Sequence, residues 1–263
     1  MKRFSRQLIA LIAAVGSIAL ALAHEAQVAP QELQVATLRT GDEPDVREGK
    51  TLSELNDALA REICRRLAVR CTLRPLPFAE IIPGVESGRF RIGVGNVLHT
   101  PDRADRVLFS QPLWRSSSRL VGSAAAIRKF GGEARLSELR GVTIAVARGS
   151  QQQRHLLEIA EVQQLRLVET SSGEASMIAL RQGRADFSLM PVRSAYFLLR
   201  DSRGEAGFVG PALVDHGLGG TVHVILPKSD SSLRREVDAA LDAMRADGTF
   251  QRILRRYMPF LAD

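Results

Sequence analysis

The sequence predicts an α/β fold made of two successive βα series. Two observations carry this. Short apolar runs of strand length alternate with stretches of helical spacing from residue 33 to residue 257. Each series also holds one strand that runs into a small-residue turn, at Gly95-Asn96 and at Gly149-Ser150. A length of 263 residues, 45% of them hydrophobic, is enough for one large domain or two modest ones. The composition is neither fibrous nor disordered.

The N-terminus stands apart from this pattern. Lys2, Arg3 and Arg6 precede an apolar run over 8–22, and Ala21-Leu22-Ala23 gives a small-x-small cleavage signal before His24. Residues 1–23 therefore read as a secretory signal peptide. The run is short for a membrane anchor, and no cysteine stands at the cleavage position to be lipidated. Removing it would lower the formal charge from +7 to +4. That balance is mild, and the arginines are scattered rather than interleaved with aromatics, which argues against a nucleic-acid partner. No internal stretch is long and apolar enough to cross a bilayer.

In the first series a strand is expected over 33–38, followed by a polar loop over 39–50. Leu52, Leu55, Leu59, Ile63 and Leu67 fall at helical spacing, and Thr51 or Ser53 would cap that helix. A strand over 69–73, a helix from Pro77 that stops at Gly88, and a strand over 90–95 complete the series. The second series follows Trp114-Arg115-Ser116-Ser117-Ser118. Strands are expected over 119–122, 142–146, 165–169 and 186–190. Helices are expected over 136–139, 152–160, 175–182 and 192–199. A last strand over 221–226 leads to helices over 232–244 and 249–257, separated by Asp247-Gly248. Alternation of this kind implies parallel sheets with both faces covered. Ligands bind such sheets at the carboxyl ends of strands, so two facing turns suggest a cleft that closes around one guest.

The cysteines, Cys64 and Cys71, have six residues between them, one closing a helix and the other opening a strand. In an exported chain they are either a short-loop disulfide or two buried thiols, and alone they are too few for a metal site. No cofactor is implied by any motif. The most informative stretch is Gly95-Asn96-Val97-Leu98-His99-Thr100-Pro101-Asp102-Arg103, followed by Phe109-Ser110-Gln111-Pro112. A strand ending in small residues and turning into a helix start leaves backbone N–H groups at a crevice, where Arg103 can grip an anion. The alternative is an ordinary strand-to-helix connection with a solvated arginine.

From about Leu33 to Tyr257 the chain resembles the family 3 extracellular solute-binding proteins, the periplasmic polar amino-acid receptors of ABC importers. Residues 60–72 look like the corresponding segment of the lysine/arginine/ornithine and histidine receptors, which carry a disulfide at this cysteine spacing. Phe78-Ala79-Glu80-Ile81-Ile82-Pro83, Thr100-Pro101-Asp102-Arg103, Phe109-Ser110-Gln111-Pro112, Phe208-Val209-Gly210-Pro211 and Asp247-Gly248-Thr249-Phe250 match further landmarks in order. The resemblance implies a periplasmic binding protein type 2 fold: two Rossmann-like lobes joined by two hinge crossings, near 116–118 and 215–219. Residues 24–116 plus 217–263 would form the first lobe and residues 117–216 the second.

The resemblance also assigns roles. Arg103 would take the ligand's carboxylate, Phe78 would form an apolar wall, and Asn96 and Leu98 would occupy positions of polar contact. Ser150 and Gln151 would supply donors to the same carboxylate from a helix start. A Cys64–Cys71 disulfide, a monomer, a small carboxylate-bearing ligand and an inner-membrane ABC permease as partner complete the expectation.

The sequence departs from the family where the ligand's ammonium is bound. The family places an acid just after the first strand, where this chain has Leu38-Arg39, and another after a strand of the second lobe, where it has Pro191. The acid that favours basic side chains aligns with Asn56. Asp42 or Asp45 would have to substitute from the loop, and Arg39 would favour an additional acidic group on the ligand. Asp186, in a Gly-Arg-x-Asp pattern, reads as structural. A cyclohexadienyl-dehydratase-like enzyme on the same scaffold is the rival reading, with His99 and Glu174 as its candidate acids. A periplasmic sensor that presents its ligand state to a membrane partner is the third.

Overall fold

The computed structural model describes residues 32–39, 52–200, 202 and 204–258. The segment 1–23 read as a signal peptide and the loop carrying Asp42 and Asp45 lie outside the described residues. Two mixed sheets organise the chain, and each is covered by helices on both faces.

The first sheet contains β1 (Glu32–Leu38), β2 (Arg70–Leu76), β3 (Ile92–Leu98), β4 (Val107–Phe109), β5 (Trp114–Ser116) and β11 (Gly220–Pro227). Its order is β2-β1-β3-β11-β4, with β5 also on β11. Strands β1, β2 and β3 pair in parallel, as alternation with helices demands, whereas β11 runs antiparallel to β3, β4 and β5. Pro75 is tolerated within β2 because that strand lies at the sheet edge. The helices are α1 (Leu52–Arg66) and α2 (Phe78–Glu86) on opposite faces, the short α3 (Pro101–Ala104), and the terminal α8 (Ser231–Ala246) and α9 (Thr249–Tyr257). The heptad-like leucines of α1 join Val35, Val94, Val224, Val237 and Leu241 in one core. Ile81, Ile82 and Val85 of α2 join Ala36, Val97 and Ile225 in the other. Cys64 and Cys71 form the disulfide that the resemblance implies, tying α1 to β2 with a Cα–Cα distance of 6.1 Å.

The second sheet has the order β10-β6-β9-β7-β8. Its strands are β6 (Ser118–Ser123), β7 (Thr143–Ala147), β8 (Arg166–Thr170), β9 (Phe187–Pro191) and β10 (Ala206–Leu213). Here β7 is parallel to β8 and β9, while β6 is antiparallel to β9 and β10. Its helices are α4 (Ala124–Phe130), α5 (Gln151–Ile159), α6 (Gly173–Arg181) and α7 (Val192–Arg200). Asp186 accepts from the Thr143 N–H at 2.8 Å, the structural role read from its pattern.

The chain crosses between the sheets at Ser117 and again over 214–219. The two crossings are tied together. Ser118 Oγ donates to the Leu218 carbonyl at 2.6 Å and accepts from Gln152 Nε2 at 2.7 Å. His216 and Gly217 both have positive φ, which turns the second crossing sharply before β11 begins.

Four elements were not anticipated, the three-residue β5 among them. The antiparallel β4 and β10 escape an alternation argument, because β4 has three residues and β10 is interrupted by Gly207, Gly210 and Pro211. Helix α4 carried a legible signal. Ser123 accepts from the Ala126 N–H as N-cap, three alanines follow, and Gly131 at positive φ ends the helix.

Candidate functional site

A cavity of about 80 Å³ lies between the two sheets' carboxyl ends. That is several times the space a water molecule needs. All seven residues expected to meet a ligand line it: Arg39, Phe78, Asn96, Leu98, Arg103, Ser150 and Gln151. Leu38, Met190 and Pro191 line it too, so the positions where the family would place acids present apolar surface here. Asn56 is not among the lining residues. It is fully buried on α1, and its side-chain N and O have no hydrogen-bond partner.

The first-lobe wall comes from β3, α2 and α3. Gly93 and Gly95 let α2 lie close to β3, since a Cβ at Gly95 would collide with Ile81. Asn96 has φ +57°, a left-handed residue within a strand, which turns the chain toward α3. Both polar atoms of its side chain are sealed from solvent and unpartnered. Pro101 opens α3 and sets Arg103 two residues later, facing inward and only 4% exposed. Arg103 Nη1 donates to the Leu98 carbonyl at 3.1 Å and Nη2 to the Gly149 carbonyl at 3.3 Å. Its guanidinium carbon lies 5.5 Å from the centre of the Phe78 ring. Burial pushes the guanidinium down to about 10, against the opposing charge of Asp102 and helped by Arg154 and Arg106, so it stays cationic at neutral pH. A buried cation held by two carbonyls has the donors and the charge to take an anion.

The second-lobe wall comes from the turn after β7 and the start of α6. Gly149, at φ +73°, passes so close to α2 that a Cβ would lie 3.1 Å from Ala79 Cα. Ser150 caps α5, accepting from Gln153 N while its hydroxyl donates to the Ala147 carbonyl at 2.7 Å. Gln153 Oε1 takes the Gly149 N–H at 2.7 Å. Gln151 Nε2 reaches Thr100 Oγ1 of the first lobe at 3.4 Å. The Ser150 and Gln151 side chains thus have protein partners, and what the helix start still offers is its first backbone N–H groups, which no helix can satisfy internally.

Sequence reasoning gave Glu174 no role in holding a ligand. It stands in the first turn of α6, behind the cap Ser172, and lines the cavity. Its Oε2 is sealed from solvent without a hydrogen-bond partner. Burial pushes its pKa up, partly offset by hydrogen bonds from its own backbone and Ser172. The local signal was the capping pattern Ser172-Gly173-Glu174, which fixes the helix start and hence the carboxyl's position. His99, the other candidate acid, is exposed and packs its ring 4.6 Å from that of Phe109. Among the described residues no group of three or more His, Cys, Asp or Glu side chains is placed to hold a metal ion.

Ion pairs and ring contacts also link the lobes around the cavity. Arg154 of α5 pairs with Asp102 of α3 at 2.7 Å. Arg193 of α7 lies 5.3 Å over the Trp114 ring and donates to Met258 Sδ at 3.2 Å.

Comparison with known proteins places this geometry. A sequence profile of the bacterial extracellular solute-binding proteins, family 3, matches residues 38–260. The histidine-binding periplasmic protein of Salmonella typhimurium is 26% identical over 205 residues, covering 77% of each chain. The lysine/arginine/ornithine-binding periplasmic protein of Escherichia coli is 25% identical with the same coverage. The fold is similar to that of an ancestral arginine-binding protein solved with arginine, with a TM-score of 0.74 at 22% identity, covering 86% of this chain and 98% of that one. The chain belongs to the family 3 bacterial extracellular solute-binding proteins.

Proposed function

We propose that this protein is the periplasmic capture component of an ABC importer, taking a small solute with a carboxylate, an amino acid or a close analogue. One observation carries the reading: a buried, cationic Arg103 at the seam of the two lobes, in a cavity lined by both. The names of the relatives, which bind histidine or lysine, arginine and ornithine, support the ligand class. Arg103 receives the carboxylate, with the Gln151 and Gln152 N–H groups at the start of α5 adding donors. Phe78 and Leu98 exclude water from the pair, which strengthens it. A ligand that touches both walls favours the arrangement in which the walls meet, so residues 24–116 plus 217–263 close on residues 117–216 about the crossings. The chain is exported by the cleaved segment 1–23, acts as a monomer, and delivers its guest to an inner-membrane permease without covalent chemistry.

The test is calorimetry on the mature chain with L-histidine, L-arginine, L-lysine and L-glutamine, each beside its carboxamide. Binding of the acid and at least tenfold weaker binding of the amide is the expected result. Equal binding of both overturns carboxylate capture.

A second reading rests on Glu174, since a buried carboxyl with a raised pKa is what a dehydratase would use as its general acid. Incubation with prephenate or arogenate distinguishes the two. Aromatic product supports the enzyme, and unchanged substrate supports the receptor.

A further inference from the structure

We propose that Glu174 is the partner of the ligand's ammonium, so that Arg103 and Glu174 together select zwitterionic α-amino acids. The inference rests on the reading of Arg103 as the carboxylate site and adds the second charge of the ligand. The need for it comes from Leu38 and Pro191. Both line the cavity and neither can neutralise an ammonium, and among its described lining residues Glu174 is the one that carries a carboxyl. An ammonium buried there without a partner costs several kcal/mol.

Glu174 meets that need from a different element. It lines the same cavity, on the wall opposite Arg103. No ion pair among the described residues includes it, and Oε2 has no donor of any kind. No hydrogen bond or ion pair joins it to Arg103, two of whose donors reach the Leu98 and Gly149 carbonyls. A sealed carboxyl oxygen with no partner is destabilising unless a donor arrives from outside the chain. Burial disfavours its charge, so a cationic donor, which offsets that cost, fits better than a neutral one. Asn96 adds an independent sign on the facing wall: both its amide atoms are buried and unpartnered, ready for one donor and one acceptor of a polar guest. A guest with a carboxylate and an ammonium on one carbon presents such a set.

The raised pKa of Glu174 gives the proposal a proton readout. In the free protein burial raises the carboxyl's pKa and an arriving ammonium lowers it, so binding is accompanied by proton release at a pH where the two states differ in protonation. The experiment uses the mature chain and its Glu174→Gln variant. A thermal-shift screen of the twenty L-amino acids selects the probe. It is then titrated beside its counterpart lacking the α-amino group, which is imidazolepropionic acid for histidine and 5-guanidinopentanoic acid for arginine. Wild type is expected to favour the amino acid at least tenfold over the des-amino acid. Glu174→Gln should lose at least tenfold for the amino acid and less than twofold for the des-amino acid. Titration over a series of pH values in buffers of different ionisation enthalpy should show proton release for wild type and none for the variant. Equal losses for both ligands, or no loss for the amino acid, overturn the proposal while leaving carboxylate capture intact. The proposal also falls if no amino acid shifts the wild type. Loss of discrimination against the carboxamides overturns the Arg103 reading instead. Free Glu174→Gln should melt no lower than wild type, because it keeps an acceptor for the Ser172 and backbone hydrogen bonds and removes a buried ionisable group, so a failure to fold does not confound the result.

Discussion

On the first-lobe face of the cleft the charged group, Arg103, lies against carbonyl acceptors of the protein itself, Leu98 O and Gly149 O. On the second-lobe face Glu174 carries an oxygen that nothing in the chain satisfies. The guanidinium has five N–H donors, so committing two to carbonyls orients the fork and still leaves donors for a ligand. The carboxyl has fewer options, and what it lacks must come from the guest. One face is therefore oriented by the protein's own carbonyls, Leu98 O within the lobe and Gly149 O across the seam, and the other is completed by binding.

If that asymmetry is right, the largest effect should come from the positioned face. Arg103→Ala should weaken carboxylate binding by tenfold or more, about 2 kcal/mol for a charge-assisted hydrogen-bonded pair. Arg103→Lys should recover only part of it, because an ammonium cannot hold both carbonyls and a carboxylate in one plane. Isothermal titration of the three proteins checks this, and equal affinities would remove Arg103 from the site. A disulfide-free Cys64→Ser, Cys71→Ser chain gives the opposite profile. The closed loop is short, so about 2 kcal/mol of stability should be lost, read by urea unfolding. Ligand affinity should not move, since neither cysteine lines the cavity. The next effect is steric. Gly149→Ala puts a Cβ against Ala79 across the lobes and strains a positive φ. Capture should weaken about fivefold, near 1 kcal/mol for modest overpacking. Ala79→Gly in the same chain should restore part of the loss.

Much of the first face was legible in the sequence, and the reason is local. Gly95 through Arg103 is one continuous segment, and a strand, a left-handed residue and a Pro-started turn fix where the arginine points. The disulfide was legible through the resemblance to receptors that carry one at this cysteine spacing, since the spacing alone left two buried thiols open. The second face depends on long-range packing. Whether Glu174 meets Arg103 is decided by the order β6-β9-β7-β8 and by crossings at Ser117 and 214–219, neither of which shows in residue spacing. Pairing with β11 and β10 likewise turned the expected parallel sheets into mixed ones. Ser150 and Gln151 were placed at the cavity by their helix start. Their side-chain partners, Ala147, Gln153 and Thr100, follow only from three-dimensional contact.

The smallest expected effect tests whether the seam is held by charge or by shape. Arg154 and Asp102 pair at 2.7 Å across the lobes, but their side chains are 53% and 38% exposed. Water and salt screen such a pair, so its contribution to bringing the walls together should be about 0.5 kcal/mol. Arg154→Gln should therefore weaken ligand binding about twofold in dilute buffer and leave it unchanged in 1 M salt, where the Debye length falls to about 3 Å. A loss of tenfold that survives high salt would mean that Arg154 acts by more than pairing. In that case the second face is positioned in advance after all, and the contrast with the first would have to be drawn at Glu174 alone.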